Sequence, residues 1–202
     1  MADRRQAILE AALSLLERGG LQALTTAALA REAKCSKETI YLLFKDRDDI
    51  LGTLVAEQSA RLNGMLEGID GDDPLDALTE AGARLLDLLT SDASLAINRA
   101  ALGDPTGSLS RILIEAGRNR TAPLFIRLLE QARLHGRIGF TDGPEAFRTF
   151  YGLLIADRQI TALHRVEGAR PQPDERRILA ERAVHGLAVL LPPQPVGRIR
   201  TL

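Results

Sequence analysis

Lys34, Lys37 and Lys45 are the chain's only lysines, and they fall together within residues 34–45. Every other long-chain cation is an arginine. Around the lysines stand the hydroxyls of Thr25, Thr26, Ser36 and Thr39, the phenol of Tyr41 and the guanidinium of Arg47. Such donors hold phosphate oxygens and reach the edges of bases. Glu38 sits among them. A carboxylate there repels phosphate but accepts from cytosine N4, so it sharpens the choice of base. The chemistry on offer is recognition of nucleic acid rather than bond cleavage. Chance clustering of three lysines is the competing explanation.

Local sequence supplies the elements that position these groups. Residues 24–44, LTTAALAREAKCSKETIYLLF, read as two short helices joined by a tight turn. Thr25 and Ser36 are the residue types that open helices, because their hydroxyls accept an unpaired backbone N–H of the first turn. Ala28, Leu29, Ala30 and Ala33 form a small apolar surface against which a second helix can cross at short range. That second helix carries Lys37, Glu38, Thr39 and Tyr41 outward and Ile40 and Phe44 inward. A helix, a tight turn and a steeply crossing helix form the helix-turn-helix of DNA-binding proteins. Lys37 and Thr39 stand near the start of the recognition helix, where side chains meet base edges and backbone N–H groups favour phosphate. Thr25, Thr26, Lys45 and Arg47 are placed for backbone contacts. Two readings of Tyr41 coexist, a phenol reaching phosphate and a half-buried core tyrosine. For Arg47 the alternative is a solvated charge at a helix start.

Residues 4–54 resemble the N-terminal domain of the TetR family of bacterial transcriptional repressors. The resemblance is carried by Ile8-Leu9 and Ala11-Ala12, Gly20, Thr25, Leu29-Ala30 with Ala33, Ser36-Lys37, and Thr39-Ile40-Tyr41 with Phe44. Lys45-Asp46-Arg47-Asp48 and Ile50-Leu51 complete it. Further on, Gly136-Arg137-Ile138, Asp142, Ala146-Phe147 and Gly152-Leu153-Leu154 resemble the regulatory domain of one branch of that family. The resemblance implies that Tyr41 contacts phosphate and that two helices per subunit build a four-helix dimer interface. The chain also departs from the pattern. Lys34-Cys35 replaces the usual Gly-Val of the turn, and a left-handed backbone at Lys34 would cost about 1 kcal/mol. Glu38 replaces a common Gly, and Leu43 replaces a common His and its phosphate contact. Cys35 reads as a small apolar residue of the turn; its lysine neighbours leave a reactive thiolate as the alternative.

The chain has 202 residues and a formal net charge of −1. That length allows one or two domains with a proper core. Residues 1–47 hold eight Lys/Arg against six Asp/Glu, while the remainder holds eighteen against twenty-one. A mildly basic head on a mildly acidic body fits a DNA-binding domain carried by a regulatory one. One cysteine excludes an internal disulfide. No membrane-length apolar run and no signal peptide are evident, so a cytoplasmic protein without membrane contact is expected. No hydrolase, metalloprotease, phosphate-loop or dinucleotide motif occurs. His135, His164 and His185 lie far apart without metal spacing. Neither catalysis, metal nor cofactor is expected.

Helical periodicity dominates, and strand signals are missing. The expected fold is all-α: a three-helix helix-turn-helix domain at residues 1–47, a helical regulatory and dimerisation domain at 48–191, and a mobile tail at 192–202. The first helix is predicted over Arg4–Arg18, ended by Gly19-Gly20. Asp46 caps a fourth helix, and Asp72 and Asp73 cap a fifth before Pro74. Shorter helices follow around Leu95–Leu102 and Leu109–Ala116. The next places Pro123 in its first turn and stops at Gly136. Two helices, Glu145–Arg165 and Asp174–Leu191, close the fold.

Two roles are expected of the body. Pairing with a second copy would use Phe147, Tyr151 and Leu154 on one closing helix and Ile178, Val184, Leu187 and Leu191 on the other, because two recognition helices reading a palindrome gain avidity. Intramolecular core is the competing use of the same residues. A cavity for a small effector would be walled by Met65, Leu85, Leu89, Leu102, Phe125 and Phe150. Asn98, Arg99, Arg118 and Asn119 are its possible polar anchors, and an inward arginine would favour a carboxylate or carbonyl on an aliphatic ligand. The sequence thus predicts a homodimeric repressor of double-stranded DNA that a small molecule releases. The alternatives are a DNA-binding dimer without an effector, and a helical enzyme or interaction module that has lost DNA binding.

Overall fold

The computed structural model describes residues 2–69 and 73–193, and every regular element among them is helical. α1 (Ala2–Ala23), α2 (Thr26–Glu32), α3 (Lys37–Leu43) and the start of α4 (Arg47–Glu67) form the head. The body adds α5 (Pro74–Thr90), α6 (Asp92–Leu102), α7 (Ser108–Ile112), a π-helical segment (Leu113–Arg118), α8 (Asn119–Leu134), α9 (Gly143–Ile155), α10 (Arg158–Leu163) and α11 (Pro173–Leu190). Asp72 and residues 194–202 of the expected tail lie outside the described residues.

Two apolar clusters hold these helices. In the head, Ile8, Leu9 and Ala12 of α1 pack with Leu29, Ile40, Phe44 and Leu51. Ala96, Ile97, Ala100 and Ala101 of α6 join them, so a body helix completes the head's core. The body's core gathers Leu62 and Leu66 of α4, Leu78 and Leu86 of α5, Phe125 and Leu129 of α8, Phe150 and Leu154 of α9, and Leu187 of α11. The ring of Phe125 lies 5.6 Å from that of Phe147 and 5.8 Å from that of Phe150. Gly82 lets α5 approach closely, since a Cβ there would stand 3.0 Å from Phe150 Cζ and 3.3 Å from Ala180 Cβ.

Caps set most helix starts. Hydroxyls of Thr25 and Ser36 accept from Ala28 N (3.2 Å) and Thr39 N (3.1 Å), and Asp46 accepts from Asp49 N at 2.8 Å. Asp73 accepts from Leu75 N at 2.9 Å, with Pro74 in the first turn of α5.

Three boundaries differ from the sequence expectation. Helical structure resumes after Gly20 (φ 63°, ψ −159°) and continues to Ala23, so the glycine kinks α1 instead of ending it. Pro123 lies inside α8 rather than in a first turn, because α7, the π-helical segment and α8 follow one another without a break. The single closing helix expected over residues 145–165 is divided at Ala156 (φ 46°, ψ −123°) into α9 and α10. Arg158 bridges that division by donating to Leu154 O at 3.2 Å.

Candidate nucleic-acid interface and cavity

Around the turn between α2 and α3, Thr25, Thr26, Tyr41 and Arg47 border one shallow recess. Lys34 adopts φ 49°, the left-handed backbone anticipated for the turn. Arg4 reaches across from α1 and donates to the carbonyls of Ala33 and Lys34, both at 3.4 Å. On α3, Lys37, Glu38 and Tyr41 are exposed, Thr39 is half-buried, and Ile40 turns inward. Tyr41 is 61% exposed, so the core reading of this residue fails. Its hydroxyl lies 3.4 Å from Thr26 Oγ1, which joins α3 to the start of α2. Ser36 both caps α3 and lies 3.0 Å from Thr39 Oγ1. Backbone hydrogen bonding first, and the Ser36 hydroxyl second, hold the Glu38 carboxyl below its ordinary range. Glu38 is therefore charged at neutral pH and acts as an acceptor. Lys45 and Arg47 are exposed at the entry to α4, and Arg47 lies 3.9 Å from Asp48.

Sequence reasoning missed Leu42. It is 73% exposed on α3 beside Tyr41, an apolar side chain able to meet a thymine methyl. The available signal was its position outside the Ile40–Phe44 stripe. Cys35 is half-buried against the head's core, as a small apolar residue would be.

A cavity of about 250 Å³ lies in the body, bordered by α4, α5, α6, the π-helical segment, α8, α9 and α10. Leu85, Leu88, Leu89 and Phe147 form an apolar wall, and Ser59, Asn98, Arg118, Tyr151 and Gln159 supply polar groups. Asn98 donates to Ser94 O at 2.8 Å and Gln159 to Leu89 O at 3.3 Å, so both amides are partly engaged. Burial pushes the Tyr151 phenol up, and the positive charge of Arg118 opposes that rise. A larger groove, about 470 Å³, lies between α10 and α11, but it is open and edged by Asp157, Arg158, Glu175 and Arg182. The interior cavity is the better site for an apolar ligand.

Residues 8–54 match the family model of bacterial regulatory proteins of the tetR family. Residues 76–188 match that of the C-terminal domain of AefR-like transcriptional repressors. Together they span the head and most of the body. The chain belongs to the TetR family. A TetR transcriptional regulator from Agrobacterium tumefaciens has the same fold with a TM-score of 0.74 and 35% identity, covering 95% of each chain. Two curated relatives align over shorter stretches. An uncharacterized HTH-type transcriptional regulator, YvkB of Bacillus subtilis, is 34% identical over 36% of this chain and 38% of its own. The nicotine-responsive repressor HdnoR of Paenarthrobacter nicotinovorans is 28% identical over 43% of each. The chain thus spans about two fifths of the length of the curated relatives it matches. FadR of Bacillus subtilis, solved in complex with stearoyl-CoA, shares the fold at a TM-score of 0.70 and 18% identity, over 90% of this chain and 96% of that one.

In this TetR-family regulator, only part of the expected cavity lining comes together. Leu85, Leu89, Asn98 and Arg118 do border the cavity. Phe125 and Phe150 are fully buried in the core behind it and carry no lining surface. Met65 and Leu102 are exposed at 44% and 72%, and Asn119 is exposed at the start of α8, so these three are corrected to surface positions. Arg99 turns instead to α10, donating to Ala162 O at 2.8 Å and Leu163 O at 2.9 Å. Desolvation first, then Arg165 and Arg170, lower its pKa.

The expected interface residues divide in the same way. Phe147, Leu154, Val184 and Leu187 are buried in the chain's own core and have no surface for a partner, which corrects their assignment. Phe147 and the half-buried Tyr151 border the cavity. Leu191 is half-buried, and only Ile178 is well exposed, at 48%. The outward apolar residues are Leu153 of α9 with Ile178, Val189 and Leu190 of α11. The helical period explains the error, since adjacent faces of one helix are both apolar here.

Proposed function

We propose that this chain is a homodimeric repressor that grips a palindromic duplex through two copies of α3 and lets go when a small molecule fills the cavity. The double use of two helices carries this reading. On α4, Ile50, Leu51 and Leu54 pack in the head's core, while Gln58 and Ser59 border the cavity. On α6, Ala96, Ile97, Ala100 and Ala101 pack in the head, while Ser94 and Asn98 face the cavity. Val55 belongs to both. A molecule that moves either helix moves the head with it. Such a molecule raises the population of dimers whose recognition helices miss their half-sites, to the extent that it binds those dimers more tightly.

A relative named for its response to nicotine and a structural neighbour holding stearoyl-CoA support a small-molecule effector. The outward Leu153, Ile178, Val189 and Leu190, beside Gly152 and Gly186, support pairing through α9 and α11. The proposed target places the protein in the cytoplasm, and no reaction is assigned to it.

Light scattering tests the assembly, with a mass near twice 21.9 kDa expected. Binding to a selected palindrome should weaken steeply with salt, with a slope near −0.9 per phosphate neutralised. A monomer that binds the palindrome tightly, or binding without a salt slope, overturns the reading.

A further inference from the structure

We propose that the cavity takes a small monocarboxylate, its carboxylate held by Arg118 and Tyr151 and its apolar body laid along Leu85, Leu88 and Leu89. The inference rests on the effector reading above and names the chemistry of that site.

Among the described residues, Arg118 is the one ionic side chain bordering the cavity, and no Asp or Glu stands there. Several body arginines are engaged: Arg84 with Glu80 at 2.8 Å, Arg176 with Asp87 at 2.6 Å, and Arg99 with the carbonyls of α10; others, such as Arg61 and Arg127, do not border the cavity. Among the described residues, Arg118 has neither an ion pair nor a side-chain hydrogen bond. A guanidinium beside apolar walls attracts an anion, and the pair is strengthened by charge-assisted hydrogen bonds.

Arg118 ends the π-helical segment and is exposed, whereas Leu85 and Phe147 are buried. The cavity therefore runs from a cationic mouth to an apolar interior, which suits an amphipathic molecule with its charged end outward. Gly117 seats the segment against α4, for a Cβ there would lie 3.3 Å from Val55 Cγ1. The Tyr151 hydroxyl makes no hydrogen bond among the described residues. Among the described residues no unpaired side-chain oxygen is sealed from solvent, so that hydroxyl is solvent-accessible, on a residue that borders the cavity. The opposing action of Arg118 on the Tyr151 phenol agrees with the two groups sharing one end of the site. At about 250 Å³ the space is smaller than the roughly 300–1,000 Å³ of drug-sized sites, so medium-chain or single-ring acids fit it. Organic cations find no carboxylate and meet Arg118.

Octanoate, octanamide and octylammonium are matched probes that differ in charge. Calorimetric titration of the full chain should show octanoate binding at least about tenfold tighter than octanamide, with octylammonium weakest. Fluorescence anisotropy should show octanoate releasing the selected palindrome. Arg118→Gln should loosen octanoate about ten- to a hundredfold, leave octanamide within about twofold, and leave the melting temperature of the free protein unchanged. Arg118→Lys should recover part of the octanoate affinity, and Tyr151→Phe should cost several-fold. Preference for octanamide or octylammonium, with release of DNA, overturns the carboxylate assignment and spares the effector reading. Tight octanoate binding that leaves the DNA complex intact supports the assignment and defeats the effector reading. Absence of binding by all three probes, or equal octanoate affinity in wild type and Arg118→Gln, overturns the assignment.

Discussion

In the head, three consecutive helices are each opened by a side chain next to them: Thr25, Ser36 and Asp46 accept the amides of Ala28, Thr39 and Asp49. The residues proposed to touch DNA include two of these caps, Thr25 and Ser36, and all fall within residues 25–47. The cavity, by contrast, draws its lining from residues as far apart as Val55 and Gln159. Its shape depends on a π-helical segment and on a helix broken at Ala156. The head's surface is therefore fixed by local hydrogen bonds, and the cavity by packing among distant helices. Local spacing leaves a sequence signature; packing of distant helices does not.

Substitutions probe that contrast, and the largest effect concerns α11. Leu187 is fully buried and Leu190 is 59% exposed, three residues away on the same helix. Leu187→Glu should bury an unpaired charge at a cost of several kcal/mol and unfold the chain. Leu190→Glu should keep the helical circular dichroism and reduce the scattering mass to that of one chain. Equal behaviour of the two variants would remove the distinction between core and outward face.

Next in size, Lys37→Ala and Tyr41→Ala should each weaken binding to a selected palindrome about ten- to a hundredfold. Melting should be nearly unchanged, since both side chains are exposed. A large loss of stability in either would return these residues to the core. The head's local caps predict a smaller effect. Ser36→Ala should lower stability by about 1 kcal/mol, a fall of roughly 2–4 °C in melting temperature. A neutral result would mean that packing, not capping, holds α3.

Lys34→Gly works in the other direction. The φ of 49° is strained for lysine, so glycine should raise stability by up to about 1 kcal/mol, read by chemical denaturation. Asp92 predicts the smallest change. Its hydrogen bond with Arg170, the main cause, holds the carboxyl below its ordinary value of 3.8. The resulting stability is complete above that value and disappears as pH falls through the lower folded value. Because the Asp92 side chain is 70% exposed, the contribution stays well under about 1 kcal/mol. Arg170→Gln should flatten that part of the stability profile and leave the rest alone.

How much was legible in the sequence follows the same division. Thr25, Ser36 and Asp46 announced their helices by residue type, and the strain at Lys34 could be anticipated from the turn. A glycine tolerates positive φ and so predicts a stop at Gly20, but the chain resumes helical geometry beyond it. Phe150 and Leu187 are apolar at helical period, and that pattern alone cannot separate a cavity wall or a partner face from solid core. The break at Ala156 has no glycine or proline to mark it. Arg99 and Arg118 looked alike as polar anchors, yet only the fold sends one to the carbonyls of α10 and the other to the cavity.

In the proposed function, α3, presented twice by a symmetric pair, reads duplex DNA. Selection from a pool of random duplexes with the purified full chain tests it most directly. Enrichment of an inverted repeat with half-sites about one helical turn apart or a multiple of it is expected, with loss of that enrichment in Lys37→Ala with Tyr41→Ala. A pool that stays random with wild-type protein, or an inverted repeat that the double variant enriches equally well, would contradict it.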